Sequence, residues 1–97
     1  MKTKKEILSI LHQSKDELKR RFHLKNVWLF GSFVREEQRQ KSDVDVLVDF
    51  AEGATLFDWV GAGMYLEEKI GHRVDVVSRR ALRKEFKSSV LKERIPV

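Results

Sequence analysis

Three aspartates stand inside segments that otherwise have the composition of β-strands. Asp43 and Asp45 begin a valine-rich run, residues 43–50, and Asp75 is the only polar side chain among residues 74–77. Because alternate residues of a strand point to the same face, Asp43 and Asp45 should project together, with Cα atoms about 6.5–7 Å apart. This spacing predicts two carboxylates at one place on a strand.

Two carboxylates in an apolar strand resist ionisation unless a cation lies between them. Mg²⁺ prefers such oxygen ligands and takes one or two carboxylates together with substrate phosphates. If the strands carrying Asp43 and Asp75 are neighbours, about 4.8 Å apart, the three aspartates can hold two metal ions roughly 3.5–4 Å apart. The alternatives are that the aspartate pair only occupies an exposed strand face and that Asp75 only lines an open sheet edge.

A glycine–serine step adds a candidate phosphate site. Gly31 ends an apolar run, and Ser32 can cap the helix that follows. Free backbone N–H groups at the positive end of a helix attract phosphate, and glycine permits close approach of the backbone. Arg35, one helical turn after Ser32, can offer its guanidinium to a phosphate oxygen. By itself, the step is also explained by helix capping alone.

The hydrophobic pattern predicts a small sheet covered by helices, with elements in the order α-β-α-β-α-β-α. Spacing alone does not decide whether the sheet is parallel or mixed. The predicted strands are residues 27–30, 43–50 and 73–77. The predicted helices are residues 3–22 with a Thr3–Glu6 capping box, a short helix from Ser32 to about Gln38, a helix from Thr55 or Asp58 to Gly71, and a last helix striped by Leu82, Phe86 and Val90 before Pro96.

Large apolar residues are expected in the core, and the glycines of the third helix are expected at a close helix contact. The residues assigned to the core in this way include Trp28, Phe30, Phe57, Trp59, Val60, Met64 and Ile70.

Length and composition predict a single domain spanning residues 1–97. The chain has 97 residues and is 41% hydrophobic, which is enough for one core. The absence of cysteine excludes disulfides, thiolate zinc sites and cysteine nucleophiles, and favours a reducing compartment. No apolar run reaches the roughly 18 residues of a membrane span, and no export signal is recognised. We therefore expect a cytoplasmic protein without membrane contact.

Basic residues concentrate near the end of the chain. Residues 79–94 contain seven basic and two acidic side chains, a difference of +5 that equals the net charge of the whole protein. A solvated charged face explains this segment. The alternatives are attraction of nucleic acid and docking of an acidic protein partner.

The motifs together resemble those of a known enzyme superfamily. Gly31-Ser32, ten intervening residues, Asp43-Val44-Asp45 and a lone aspartate in a later strand are similar to the Gly-Ser-x10-Asp-x-Asp signature of the DNA polymerase β-like nucleotidyltransferases. From about residue 27 to the last helix, the chain resembles a minimal nucleotidyltransferase (MNT) domain. The resemblance implies an α/β (α+β) fold, with a small mixed sheet of three or four strands flanked by helices.

The resemblance also implies a reaction and a role for each matched residue. A nucleotide monophosphate, AMP from ATP, would pass to a hydroxyl group and pyrophosphate would leave. Asp43 and Asp45 would ligate two Mg²⁺ ions, and Asp75 would hold the second ion and orient or deprotonate the hydroxyl. The nucleotide-binding positions would be Gly31, Ser32 and Arg35.

The family resemblance further implies a protein partner. Many MNT proteins act as antitoxins to HEPN-domain RNase toxins, so a toxin tyrosine is the expected acceptor, a hetero-oligomer with the toxin is one expectation, and nucleic acid is not expected as a direct substrate. Where many relatives resemble Gly-Ser-x-x-Arg-Gly, this chain has Glu36 and Glu37 after Arg35. The alternative is therefore a weak or inactive MNT antitoxin that neutralises its partner by binding alone. A sugar-nucleotide transferase is a further alternative.

Overall fold

The computed structural model describes residues 2–97 and contains four helices and four strands in that range. Their order confirms the predicted alternation and adds a short terminal strand. The elements are α1 (Lys4–Phe22), β1 (Leu24–Phe30), α2 (Ser32–Arg35), β2 (Val44–Phe50), α3 (Leu56–Ile70), β3 (Val74–Ser78), a 3-10 turn (Arg79–Ala81), α4 (Lys84–Glu93) and β4 (Ile95–Pro96). No helix within residues 2–97 is both long enough and apolar enough to cross a membrane.

The four strands form one mixed sheet in the order β3-β2-β1-β4. β1 runs antiparallel to both β2 and β4, whereas β2 and β3 are parallel. Parallel neighbours need a crossover connection, and α3 provides it. The predicted mixed sheet of three or four strands flanked by helices is thereby confirmed.

The hydrophobic core lies between one face of the sheet and the helices α1 and α3. The valines that alternate along β2 are completely buried against these helices. This is the face expected from the period of two in that strand. The core side chains are Ile7, Leu11, Leu18, Leu24, Val27, Leu29, Phe33, Val44, Val46, Val48, Ala62, Leu66, Ile70 and Val76.

The prediction of which face of α3 is buried is wrong, except at Ile70. Phe57 is 88% exposed and Met64 is 66% exposed. The buried residues are Ala62, Leu66 and Ile70, which are spaced four residues apart. Residues two positions apart on a helix point to nearly opposite sides, about 200° around the axis. A helix with apolar residues on both sides can therefore bury either one. The alanine face lets α3 approach the core closely, and the bulkier face remains outside.

The basic segment near the end of the chain is not one helical face. Arg79 and Arg80 lie in the 3-10 turn, and α4 begins later, at Lys84. The Arg79 guanidinium donates to Asp49 Oδ1 at 2.7 Å and stacks on the Trp28 ring, which is half-buried. Part of the positive charge is therefore used inside the fold.

The two glycines of α3 have different surroundings, although both were expected at a close helix contact. A Cβ on Gly61 would lie 2.7 Å from Cε1 of Phe22 on α1. A Cβ on Gly63 would meet only the Val76 side chain, at 3.8 Å. Helix packing therefore explains Gly61 but not Gly63.

We predict that Gly63→Ala stabilises the protein and Gly61→Ala does not. Replacing a mid-helix glycine by alanine gains about 1 kcal/mol. At position 61 this gain is offset by about 1–3 kcal/mol for displacing the Phe22 ring. Urea unfolding of the two variants and the wild type measures both effects, and an equal gain at the two positions would contradict the close contact.

Candidate active site

The turn between β1 and α2 is formed by a glycine that no other residue can replace without strain. Gly31 has φ +82° and ψ −154°, a backbone conformation essentially confined to glycine. A Cβ at this position would lie 2.1 Å from Oδ2 of Asp45. The backbone of the turn is therefore packed directly against the carboxylate of the neighbouring strand.

The helix α2 is a single turn, shorter than the sequence predicts. Gly31 occupies the N-cap position and Ser32 is the first helical residue, so the expected capping role of Ser32 is wrong. The helix ends at Arg35 rather than near Gln38 because Glu36 adopts a left-handed conformation with φ 58°. Ser32 still follows the turn directly, one residue from the Asp45 carboxylate contact.

The strand register brings Asp45 and Asp75 together. They are direct partners in the parallel β2–β3 pair, and paired residues project on the same side of a sheet. Asp43 precedes β2 by one residue, and its Oδ1 forms a salt bridge with Nε of Arg73 at 3.0 Å. Within residues 2–97, no three acidic or histidine side chains already converge on one point as metal ligands. Asp45 and Asp75 are thus paired, while Asp43 is held by an arginine.

The pKa of Asp45 is raised from its usual 3.8 to about 6. Burial of the carboxyl is the largest cause, and the negative charges of Asp75 and Asp43 add to it. The Arg35 guanidinium acts in the opposite direction but does not cancel these effects. An ionised Asp45 is therefore stabilised by any cation placed among the three carboxylates.

The donor set fits a hard divalent cation such as Mg²⁺. All three side chains offer carboxylate oxygens, and the negative charges of Asp75 and Asp43 add to the effect of burial in raising the pKa of Asp45. The Asp43–Arg73 pair is about half exposed on both sides, and exposed pairs of this kind contribute only about 0–1 kcal/mol. The ion pair with Arg73 therefore ties Asp43 down only weakly.

A glutamate that sequence reasoning missed reaches the same turn from the end of the chain. Glu93, the last residue of α4, accepts a hydrogen bond from the Gly31 N–H, 3.0 Å from N to Oε1. Its Oε2 also lies 2.9 Å from Nη1 of Arg35. The only sequence signal was an acidic residue among basic ones. Of the two glutamates that follow Arg35 in the sequence, Glu36 lies 4.0 Å from Lys4, and Glu37 pairs with Arg35 at 3.4 Å.

These groups line one open pocket of about 390 Å³ between the sheet and α4. Asp45 and Asp75 form part of its wall, and Gly31 and Arg35 lie beside them. Apolar side chains of α4 and of the preceding turn cover the opposite wall, among them the half-exposed Phe86. The pocket thus combines acidic groups, a backbone turn and an apolar wall.

The sequence and the fold both match known proteins. The nucleotidyltransferase domain family model matches residues 11–97. Over 93 residues, the chain is 43% identical to the protein adenylyltransferase MntA of Thermococcus cleftensis, covering 96% of this chain and 94% of that protein. A solved structure described as a minimal nucleotidyltransferase matches with a TM-score of 0.81 at 40% identity, covering 95% of this chain and 94% of the other. The chain belongs to the minimal nucleotidyltransferase family. It is a nucleotidyltransferase, as its sequence predicts.

More distant structures share the fold of this minimal nucleotidyltransferase. A toxin–antitoxin structure with AMP-PNP matches with a TM-score of 0.69 at 22% identity, covering 87% of this chain and 69% of the other. A tri-AMPylated HEPN toxin in complex with an MNT antitoxin, from Shewanella oneidensis, matches with a TM-score of 0.64 at 19% identity, covering 91% and 69%.

We predict that Gly31→Ala costs this minimal nucleotidyltransferase about 3 kcal/mol of stability, because it adds both backbone strain and a clash with Asp45. In an Asp45→Ala background the carboxylate is absent, so the same substitution should cost about 1 kcal/mol less. A double-mutant cycle in urea measures this coupling. Additive effects would contradict direct contact between the turn and the carboxylate.

We also predict that Asp45→Asn stabilises the metal-free protein above pH 6 but not below pH 4. Because the pKa of Asp45 is raised to about 6 in the folded state, its contribution to stability falls as pH rises from about 4 to about 6. The shift corresponds to at most about 3 kcal/mol, reduced to about 1 kcal/mol by solvent screening.

Thermal unfolding in EDTA at pH 4 and pH 7.5 compares this variant with Asp43→Asn as the matched control. Asp43 is exposed and paired with Arg73, so its replacement loses this ion pair while relieving only a smaller part of the effect on Asp45, and it should stabilise less than Asp45→Asn at pH 7.5. If Asp45→Asn raised the unfolding temperature equally at both pH values, the stabilisation would not come from the ionisation of Asp45.

Proposed function

We propose that this protein transfers AMP from ATP to a tyrosine of a HEPN-domain toxin and so acts as an antitoxin in the cytoplasm. The observation that carries the proposal is the register that pairs Asp45 with Asp75, beside a turn whose backbone touches the Asp45 carboxylate. The 43% identity to a protein adenylyltransferase supports AMP as the transferred group and a protein as the acceptor.

The proposed reaction exchanges one phosphorus–oxygen bond for another. The acceptor oxygen attacks the α-phosphorus of ATP, the bond to the β-phosphate breaks, and pyrophosphate leaves. Asp75 orients the tyrosine hydroxyl and accepts its proton. Asp75 suits this role because it is exposed next to the half-buried Asp45, so that a hydroxyl from another molecule can reach it.

The remaining site residues hold the nucleotide. Gly31 and Ser32 bind the triphosphate tail, and Arg35 adds a positive charge beside it. Asp43, Asp45 and Asp75 would hold two Mg²⁺ ions, with Asp75 on the second. When bound, these ions supply a Lewis acid at the α-phosphate and compensate the charge on the attacking and leaving oxygens.

An exposed apolar surface on α3 supports a protein acceptor. Phe57, Val60 and Met64 lie on the outer face of this helix with 88%, 46% and 66% of their surface exposed. Monomeric proteins rarely leave such a group of large side chains in water. A shallow groove lined by Val60, Met64, Trp59 and Asp75 leads from this face to the proposed acceptor position. A bound toxin can cover the apolar face while its tyrosine reaches Asp75.

The proposal is tested by incubating the protein with labelled ATP, Mg²⁺ and its candidate HEPN partner. We expect label on a partner tyrosine, and Asp75→Asn should lower the rate of labelling at least about 100-fold because a proton acceptor is lost. Asp49→Asn is the matched control, since Asp49 lies on β2, on the same side of that strand as Asp45, but pairs with Arg79. This variant should label the partner nearly as fast as the wild type.

Two outcomes contradict the transferase. If wild type and Asp75→Asn give no label while the partner is still neutralised, the protein acts by binding alone. If both variants label equally, Asp75 has no part in the chemistry.

A further inference from the structure

The Glu93 carboxylate accepts hydrogen bonds from two of the groups that the proposed function assigns to the phosphates of the nucleotide. Oε1 of Glu93 lies 3.0 Å from the Gly31 nitrogen and 3.1 Å from Nη1 of Arg35. Its Oε2 lies 2.9 Å from the same Nη1. One backbone N–H and one guanidinium thus both bind the carboxylate of Glu93, the last residue of α4.

We propose that Glu93 is an internal competitor of the triphosphate and sets the affinity of the protein for nucleotide. This inference rests on the proposed function, in which Gly31 and Arg35 bind the triphosphate tail. In the free protein Glu93 satisfies both donors. When the triphosphate binds, its oxygens take the same donors and the Glu93 side chain moves away.

The Glu93 carboxylate and a triphosphate cannot bind the Gly31 and Arg35 donors at the same time. Carboxylate and phosphate oxygens accept the same charge-assisted hydrogen bonds from N–H groups and guanidinium. The single N–H of Gly31 cannot serve both anions at full strength. A triphosphate beside an undisplaced Glu93 would also place like charges in contact, which disfavours the ionised forms of both.

The fold holds Glu93 near the site, so that its binding there costs little entropy. Two residues after Glu93, Ile95 of β4 pairs with Leu29 of β1, and the Val97 N–H donates to the Val27 carbonyl at 3.2 Å. The main chain on this side is therefore fixed, and the carboxylate is held close to the turn at a high effective concentration. Its displacement requires only rotation of the side chain, which is 22% exposed and borders the open pocket.

Glu37 provides a contrast that separates competition from general charge. It lies 3.4 Å from Arg35 Nε and its side chain is 65% exposed. Glu37 thus adds a negative charge near Arg35 that is comparable to that of Glu93, but the Gly31 N–H donates its hydrogen bond to Glu93. Removing either charge changes the local potential, and only removal of Glu93 also frees the backbone donor.

The test uses inorganic tripolyphosphate in EDTA, a probe that needs neither metal nor acceptor. We expect Glu93→Gln to bind it about tenfold more tightly than the wild type by isothermal titration, because an amide oxygen accepts more weakly than a carboxylate. Glu37→Gln should change the affinity much less. An equal gain in affinity in the two variants would mean that only the loss of a negative charge matters, and it would overturn the proposal. Weaker binding by Glu93→Gln would also overturn it, since Glu93 would then hold the donors in place for phosphate.

A measurement on the wild type keeps the proposal testable if Glu93→Gln folds poorly. In a tripolyphosphate titration followed by NMR, the Gly31 amide, the Arg35 Nε–H and the Glu93 side-chain carboxyl should shift together with one dissociation constant. Shifts of Gly31 and Arg35 without Glu93 would overturn the competition, and so would no binding at all.

Failure of the inference and failure of the proposed function are distinguishable. The transferase fails when labelled ATP and Mg²⁺ leave the toxin unlabelled, whatever tripolyphosphate does. The inference fails in the metal-free titration, whatever the labelling assay gives.

Discussion

The contact between the Gly31 backbone and the Asp45 carboxylate is the constraint on which the site depends. It leaves no space for a side chain at position 31, and it fixes the turn relative to β2. Since Asp45 is also the register partner of Asp75, the same contact places the turn against the acidic pair. A shift of one residue in the register of β2 would turn Asp45 into the core and remove the arrangement.

The site concentrates negative charge that the fold only partly compensates. Arg73 pairs with Asp43 and Arg35 pairs with Glu93, yet the pKa of Asp45 remains raised to about 6. Such a cluster lowers stability, and the proposed binding of metal and nucleotide gives a reason for it. The Arg35–Glu93 pair also occupies a donor that the proposed function assigns to the triphosphate.

Much of the fold and the main elements of the site follow from local patterns. Alternation along residues 43–50 gave the buried valine face and the outward aspartates, because a strand has a period of two whatever surrounds it. The buried face of α3 could not be read in the same way, because this helix is apolar on both sides. Packing selected the Ala62 face, and the bulkier Phe57 face stayed exposed. The length of α2 could not be predicted either, because Glu36 adopts a left-handed conformation that its residue type does not indicate.

By itself, the sequence determined which chemical groups are present and their spacing along each element: a glycine–serine step, an aspartate pair and a lone strand aspartate. These are local features, set by residue type and by the repeat of a strand or helix. Only the tertiary structure decided that Asp75 lies beside Asp45, that Arg73 holds Asp43, and that Glu93 closes on Gly31 and Arg35. Glu93 is 62 residues from Gly31, and contacts over such separations depend on how the whole chain packs rather than on any local pattern.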